Sequence, residues 1–180
     1  MKRLIINADD FGLTRGVNRA IAEAHDRGVV TSATLMASGP EFDEAVALAR
    51  GLPQISVGCH VDLIQLAPVS PPSQLPTLAR DGYFRPGFAR FARAALRNRL
   101  SADEIRNEAG AQMGKLQSAG ITLTHFDTHK HTHLFPRVLG PLLQAAKERG
   151  IGAVRNPFEP DPIVRLVEVS SRPNSRPVRG

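Results

Sequence analysis

The chain has 180 residues, 42% hydrophobic and 22% charged, with 23 Lys and Arg against 17 Asp and Glu for a net charge of +6. That length and composition predict one soluble globular domain and exclude a disordered or fibrous chain. The single cysteine, Cys59, excludes an intrachain disulfide framework and fits a reducing cytoplasm, while the positive charge permits an anionic partner without identifying one.

In chain order, Lys2 to Ala8 reads as a short buried strand, too short in apolar residues for a signal peptide. It stops at Asp9-Asp10-Phe11-Gly12, where two adjacent carboxylates are costly unless something uses them. Thr14 is placed to cap a helix reaching about Arg27, with Val17, Ala20, Ile21 and Ala24 as its apolar stripe. Val29 to Ala37 reads as a second strand and Glu41 to Arg50 as a second helix. Ile55 to Cys59 is a third strand, ending at His60. Strands alternating with helix-length returns predict a parallel sheet with helices packed outside it. No apolar run is long enough to span a bilayer.

From Ala67 to about Gly87, Pro68, Pro71, Pro72, Pro76 and Pro86 predict a long irregular loop. A basic stretch follows, with Arg90, Arg93 and Arg97 on one helical face and Phe88, Phe91 and Ala95 on another. It reads either as a solvated helix or as a lid or lipid-facing helix near the substrate. Ser101 with Glu104 forms a capping-box pattern for a helix carrying Ile105, Ala109, Met113 and Leu116. Pro136 to Arg149 is a further helix, with Val138, Leu139, Leu142, Leu143 and Ala146 inward. Ala153-Val154-Arg155 is a candidate last strand. Residues 1–160 therefore read as one α/β unit and 161–180 as an irregular, frayed tail.

Between those last two helices lies Thr124-His125-Phe126-Asp127-Thr128-His129-Lys130-His131-Thr132-His133, which holds four of the six histidines. Extended throughout, it would put His125, Asp127, His129, His131 and His133 on one side; a helix would align His125, His129 and His133 without Asp127. The preferred reading is a strand ending near Asp127, then a loop carrying His129 and its followers, with Pro136 opening the next helix.

Asp9-Asp10, His60 and His129 each sit at or just past the carboxyl end of a predicted parallel strand. Strand-to-helix loops all open on that side, so residues far apart in sequence are expected to meet there. One carboxylate with two neutral imidazoles is an open site for a divalent metal. The second aspartate of the pair is then free to handle protons.

The blocks Asn7-Ala8-Asp9-Asp10-Phe11-Gly12, Gly58-Cys59-His60-Val61-Asp62-Leu63 and the histidine-rich segment resemble, in order and spacing, the signatures of the YdjC-like carbohydrate deacetylases (ChbG/HpnK-like). Thr31-Ser32-Ala33-Thr34 looks like that family too. The Phe-Asp-Thr-His-Lys-His-Thr-His variant resembles the hopanoid-biosynthesis-associated HpnK branch. The resemblance implies an incomplete or distorted TIM-like (β/α) barrel, a divalent metal (Mg2+ or Zn2+), and removal of an acetyl group from an acetylated amino sugar. By resemblance, Asp10, His60 and His129 fall on metal-ligand positions and Asp9 on the catalytic base. Asp127 is a candidate to orient an imidazole, and His125, His131 and His133 stand open as proton donors or substrate contacts. Relatives continue past residue 180 and carry a later His-Pro block, so a C-terminally truncated chain is expected.

The branch resemblance, with the basic Phe-containing stretch, implies a lipid-linked substrate and peripheral membrane contact. Rival readings are a metal phosphoesterase, or a fragment that binds metal or sugar without turnover. Nucleic-acid binding is not expected, because Tyr83 is the only Tyr and there is no Trp to stack on bases. Oligomeric state is not legible, a homodimer being one option. Metal binding is expected to weaken as pH falls through the imidazole range near 6.5, about the free histidine value.

Overall fold

The computed structural model describes residues 4–85 and 87–158. Its centre is a parallel sheet of four strands: β1 (Asn7–Phe11), β2 (Ser32–Leu35), β3 (Ser56–Val61) and β6 (Phe126–Thr128), in the order β1-β2-β3-β6. A parallel bridge from Phe126 to Val154 adds one further position beyond β6. The returns are α1 (Arg15–Asp26), α2 (Phe42–Gly51) and α4 (Ala102–Ser118); α3 (Phe88–Leu96) precedes α4, and α5 (Pro136–Glu148) follows β6. The α/β class and parallel pairing agree with the sequence reading.

Register explains why one sheet carries both a core and a site. Asn7, Ser32 and Ser56 lie side by side across β1 to β3, as do Leu35, Cys59 and Phe126 across β2, β3 and β6. Side chains alternate between faces, so Ala33, Leu35, Val57, Cys59, Val61 and Phe126 share the apolar face, and all are buried. Burying a side chain such as Phe126 or Leu35 contributes about 2–3 kcal/mol. The other face carries Asn7, Asp9, Ser32, Thr34, His60 and Asp127. A buried parallel strand is ordinarily apolar on both faces. Here one face is given over to polar chemistry.

Several boundaries differ from expectation. The first strand is Asn7–Phe11, so Asp9 and Asp10 lie within it, and Leu4 and Ile5 are exposed rather than buried. The second strand is shorter than Val29 to Ala37, and His60 lies inside β3 rather than past its end. Thr14 does cap α1, its hydroxyl accepting from the Val17 amide at 3.2 Å. Ala20 faces solvent, however, and Asn18 is the buried polar residue of that helix. Asn18 accepts from the Gly12 amide at 2.7 Å and donates to Glu44 at 2.9 Å, which ties the turn after the Asp pair to α2. Leu143 is exposed, with Val138, Leu142, Ala145 and Ala146 forming the inward side of α5.

The proline-rich segment is largely irregular, as read, but it is not featureless. It contains a one-turn 3-10 helix (Pro72–Gln74) and a hairpin of β4 (Ala79–Arg80) and β5 (Tyr83–Phe84) around Asp81-Gly82, both at positive φ. α4 staples it from beneath. Buried Glu108 accepts from the amides of Val69 and Ser70 at 2.8 and 2.9 Å, and Glu104 accepts from Thr77 and Leu78. Only half of the capping box forms: the Ser101 hydroxyl accepts from the Glu104 amide, while the Glu104 carboxylate turns to the loop. The tail expected over 161–180 lies outside the described residues.

Candidate metal and catalytic site

Three ligand atoms meet at the carboxyl edge of the sheet. Asp10 Oδ1 lies 3.2 Å from His60 Nε2 and 3.0 Å from His129 Nδ1, and the two nitrogens are 3.3 Å apart. Divalent cations bind N and O ligands at about 2.0–2.2 Å, which separates neighbouring ligand atoms by about 3 Å or slightly more. The triangle therefore fits one face of a coordination shell, leaving the opposite side for water or substrate. Both histidines are buried and Asp10 is half-buried.

Each side chain reaches this point for a local reason. Asp10 has φ of 63°, and pairing between β1 and β2 shifts between Ala8 and Phe11. That irregularity turns Asp10 toward the two imidazoles, while Asp9 stays over the inner face. His60 is the inward residue beside Asp127 of β6. His129 leads a 3-10 segment (His129–Leu134), and Lys130 and His131 both adopt φ of 53°. The chain thus leaves the strand after Thr128, as the preferred sequence reading expects, and the fully extended alternative does not occur.

A second constellation adjoins the first. His60 Nδ1 donates to Asp127 Oδ1 at 2.6 Å, which fixes the ring with Nε2 facing the triangle. Arg155 Nη1 donates to both oxygens of Asp9, at 2.7 and 2.9 Å, and to Asp127 Oδ2 at 3.2 Å. Asn7 donates to Asp9 Oδ1 at 2.8 Å, and Thr34 Oγ1 lies 3.2 to 3.4 Å from His60, Asp127 and Asp9. Asp9, His60 and Asp127 also come within metal-binding distance of one another, but Arg155 already supplies a cation between the two carboxylates. Asp10, His60 and His129 are the group that could hold an ion without displacing that guanidinium.

Electrostatics divide the two imidazoles. Burial pushes the His60 pKa down, but its hydrogen bonds to Asp10 and Asp127 outweigh that and raise it to about 9. The hydrogen bond from His60 in turn holds the Asp10 carboxyl below its ordinary range, against burial. Burial pushes His129 below the ordinary histidine value despite the nearby Asp10 charge. Burial opposes ionisation of Asp127, and its bonds to His60 and Arg155 prevail and lower its pKa.

The remaining histidines lie elsewhere. His125 points into the inner face, with Nδ1 bonded to Thr124 at 2.8 Å and Nε2 3.4 Å from Ser32 and Asn7. Its ring occupies the space over Gly58, where a Cβ would come within 2.6 Å. His133 is buried and bonds Thr128 Oγ1 at 2.7 Å, and His131 packs edge-on against it. Among the described residues, neither bonds to Asp9, Asp10, His60 or His129. Sequence reasoning passed over Arg155, Thr34, Asn7 and Gln65 as site residues. The signal for Arg155 was its place on the last candidate strand, since the strand-end logic applied to His60 applies equally there.

A cavity of about 570 Å³ lies on the inner face, lined by Asn7, Ser32, Ser56, Thr124, His125 and Ala153 among others.

The YdjC-like protein family matches residues 3–174. A carbohydrate deacetylase of Brevibacillus brevis is 43% identical over 157 residues, covering 87% of this chain and 60% of that one. A chitooligosaccharide deacetylase of Salmonella typhimurium is 40% identical over 149 residues, covering 82% and 57%. The crystal structure of an Enterococcus faecalis V583 protein named for cellobiose-phosphate cleavage superposes with a TM-score of 0.75 at 32% identity, covering 92% of this chain and 62% of that one. The chain thus spans about 60% of the length of the curated relatives it matches. With nearly its whole length matched, the chain belongs to the YdjC-like protein family.

Proposed function

We propose that this chain is a metal-dependent carbohydrate N-deacetylase that hydrolyses the linear amide of an acetylated amino sugar. The observation that carries the reading is the Asp10–His60–His129 triangle standing beside an aspartate, Asp9, that is held by a guanidinium. The relatives named as carbohydrate and chitooligosaccharide deacetylases support the substrate class.

A divalent ion, when bound by Asp10, His60 and His129, would polarise the amide carbonyl and acidify a water. Asp9 accepts the attacking water's proton on its carboxylate. Arg155 and Asn7 hold that carboxylate in one orientation, and Asp127 fixes the His60 ring. The departing amine must gain a proton; His125 and His133 bond other partners, His131 bonds neither Asp9 nor Asp10, and we assign that step to none of them. We further propose that the open sheet is part of a (β/α) barrel, its polar inner face lining the interior. A reducing cytoplasm suits the lone buried Cys59.

In its finer form the substrate is lipid-linked, as the resemblance to the HpnK branch implies. Arg90 and Arg93 are exposed on α3 and Arg97 just past its end, together with Phe88 and Leu96, which supports contact with an anionic membrane. Among the described residues no helix is long and apolar enough to cross a membrane. A second reading is a protein that binds metal or sugar at this site without turnover.

The test is acetate release from N-acetylglucosamine oligomers by the metal-loaded chain. Release that Asp9→Asn abolishes supports the hydrolase. Absence of release, with one ion bound, supports binding without turnover.

A further inference from the structure

We propose that Gln65 is a positioning residue for His129, holding the imidazole in the tautomer that leaves Nδ1 free for a cation. The inference rests on the metal-site reading above.

The two nitrogens of His129 face different company. Nδ1 faces Asp10 Oδ1 at 3.0 Å and His60 Nε2 at 3.3 Å, whereas Nε2 lies 3.0 Å from Gln65 Oε1. An amide oxygen can only accept, so this contact is satisfied when Nε2 carries the proton. The Asp10 carboxylate accepts equally at Nδ1, so Gln65 is the contact that favours the ring protonated at Nε2, whose lone pair at Nδ1 lies in the triangle. His60 is arranged the other way round, with Nδ1 donating to Asp127 and Nε2 facing inward. The two rings thus use opposite nitrogens, and each is fixed from outside by an acceptor. Second partners of this kind set ring orientation and ligand basicity in metal sites.

Gln65 stands there because Asp62 folds the chain that carries it. The buried Asp62 carboxylate accepts from the amides of Ile64, Gln65 and Leu66 at 2.9, 3.1 and 2.6 Å, closing a turn just beyond β3. The backbone of Asp62 is held on both sides by Gln112 of α4: its amide donates to Oε1 at 3.0 Å, and its carbonyl accepts from Nε2 at 2.7 Å. Glu108 accepts from the same Gln112 amide at 2.8 Å. A line of hydrogen bonds therefore runs from the middle of α4 to a ring in the triangle, and Gln65 is its last link. Gln65 is itself exposed, so its side chain can be changed without opening the core.

The experiment compares wild type, Gln65→Leu and Gln65→Glu, the last of which keeps an accepting oxygen. In the metal-free protein, where Asp10 competes for the same proton at Nδ1, imidazole 15N NMR should show a larger share of the Nε2-protonated tautomer of His129 in wild type and Gln65→Glu than in Gln65→Leu. In Gln65→Leu the ring should shift toward protonation at Nδ1, against Asp10, while the melting temperature stays unchanged. Calorimetric titration with Zn2+ should show Kd raised about 10- to 100-fold in Gln65→Leu and restored in Gln65→Glu. An unchanged tautomer or an unchanged Kd in Gln65→Leu overturns the proposal. If wild type binds no Zn2+, the metal reading fails, and the NMR comparison alone decides the role of Gln65.

Discussion

Arg155 reaches Asp9 across 146 positions of sequence and donates one nitrogen to both of its carboxylate oxygens, at 2.7 and 2.9 Å. The same nitrogen lies 3.2 Å from Asp127, the residue that holds His60. One cation therefore joins the proposed base to the support of a proposed metal ligand. Losing it leaves two neighbouring carboxylates facing each other, with Asp127 fully buried.

Arg155→Leu should lower kcat for deacetylation by about 10²- to 10³-fold, the usual cost of removing one preorganised charged contact. One ion per chain should still bind, because Arg155 touches none of the three ligand atoms. Steady-state kinetics with metal analysis on the same sample checks this. Unchanged kcat, or loss of the ion, contradicts it.

pH dependence follows from His60. Its folded pKa of about 9 lies above the ordinary histidine value near 6.5. In the metal-free protein its contribution to stability is therefore fully present below about pH 6.5 and is lost as pH rises through about 9. The ion competes for the same nitrogen, so Kd should tighten about tenfold per pH unit between those limits and then level off. This moves the expected weakening of metal binding well above the range the sequence suggested. Calorimetry at three pH values checks it, and a Kd constant from pH 6.5 to 9 contradicts it.

The turn behind the Asp pair tolerates no added bulk. A Cβ on Gly39 would lie 2.2 Å from the Gly12 carbonyl oxygen, a backbone atom that accepts from the Glu41 amide. Gly39→Ala should cost about 1–3 kcal/mol, a fall in melting temperature of several degrees for a domain of this size. Because Gly12 follows Asp10 and Phe11, ion affinity should weaken as well. A variant as stable as wild type contradicts the packing described.

Glu108 offers a test of the stapled loop. Glu108→Leu leaves the Val69 and Ser70 amides without their acceptor and should cost about 2–3 kcal/mol. Limited proteolysis should then cut within residues 67–85 first. Cleavage elsewhere, or none faster than wild type, argues that the loop holds itself.

The sequence was most legible where chemistry sat on strand ends. Asp10, His60 and His129 lie together, as the shared edge of parallel strands requires. Arg155 sat on the same edge but was read as the end of a strand, because a lone arginine has no motif of its own. Gln65 was invisible, since its role depends on a turn that Asp62 closes and α4 anchors. Glu104 read as half of a capping box and Glu108 was not singled out, yet both are buried against amides 26 to 39 residues upstream. Asp81-Gly82 was a hairpin signal hidden by strands of two residues each. In each case the missing information was a long-range partner rather than a local propensity.

The most direct measurement is anomalous diffraction from crystals soaked in Mn2+ or Zn2+. A single peak is predicted within bonding distance of Asp10 Oδ1, His60 Nε2 and His129 Nδ1. A peak between Asp9 and Asp127 with Arg155 displaced, or no peak at the triangle, would contradict it.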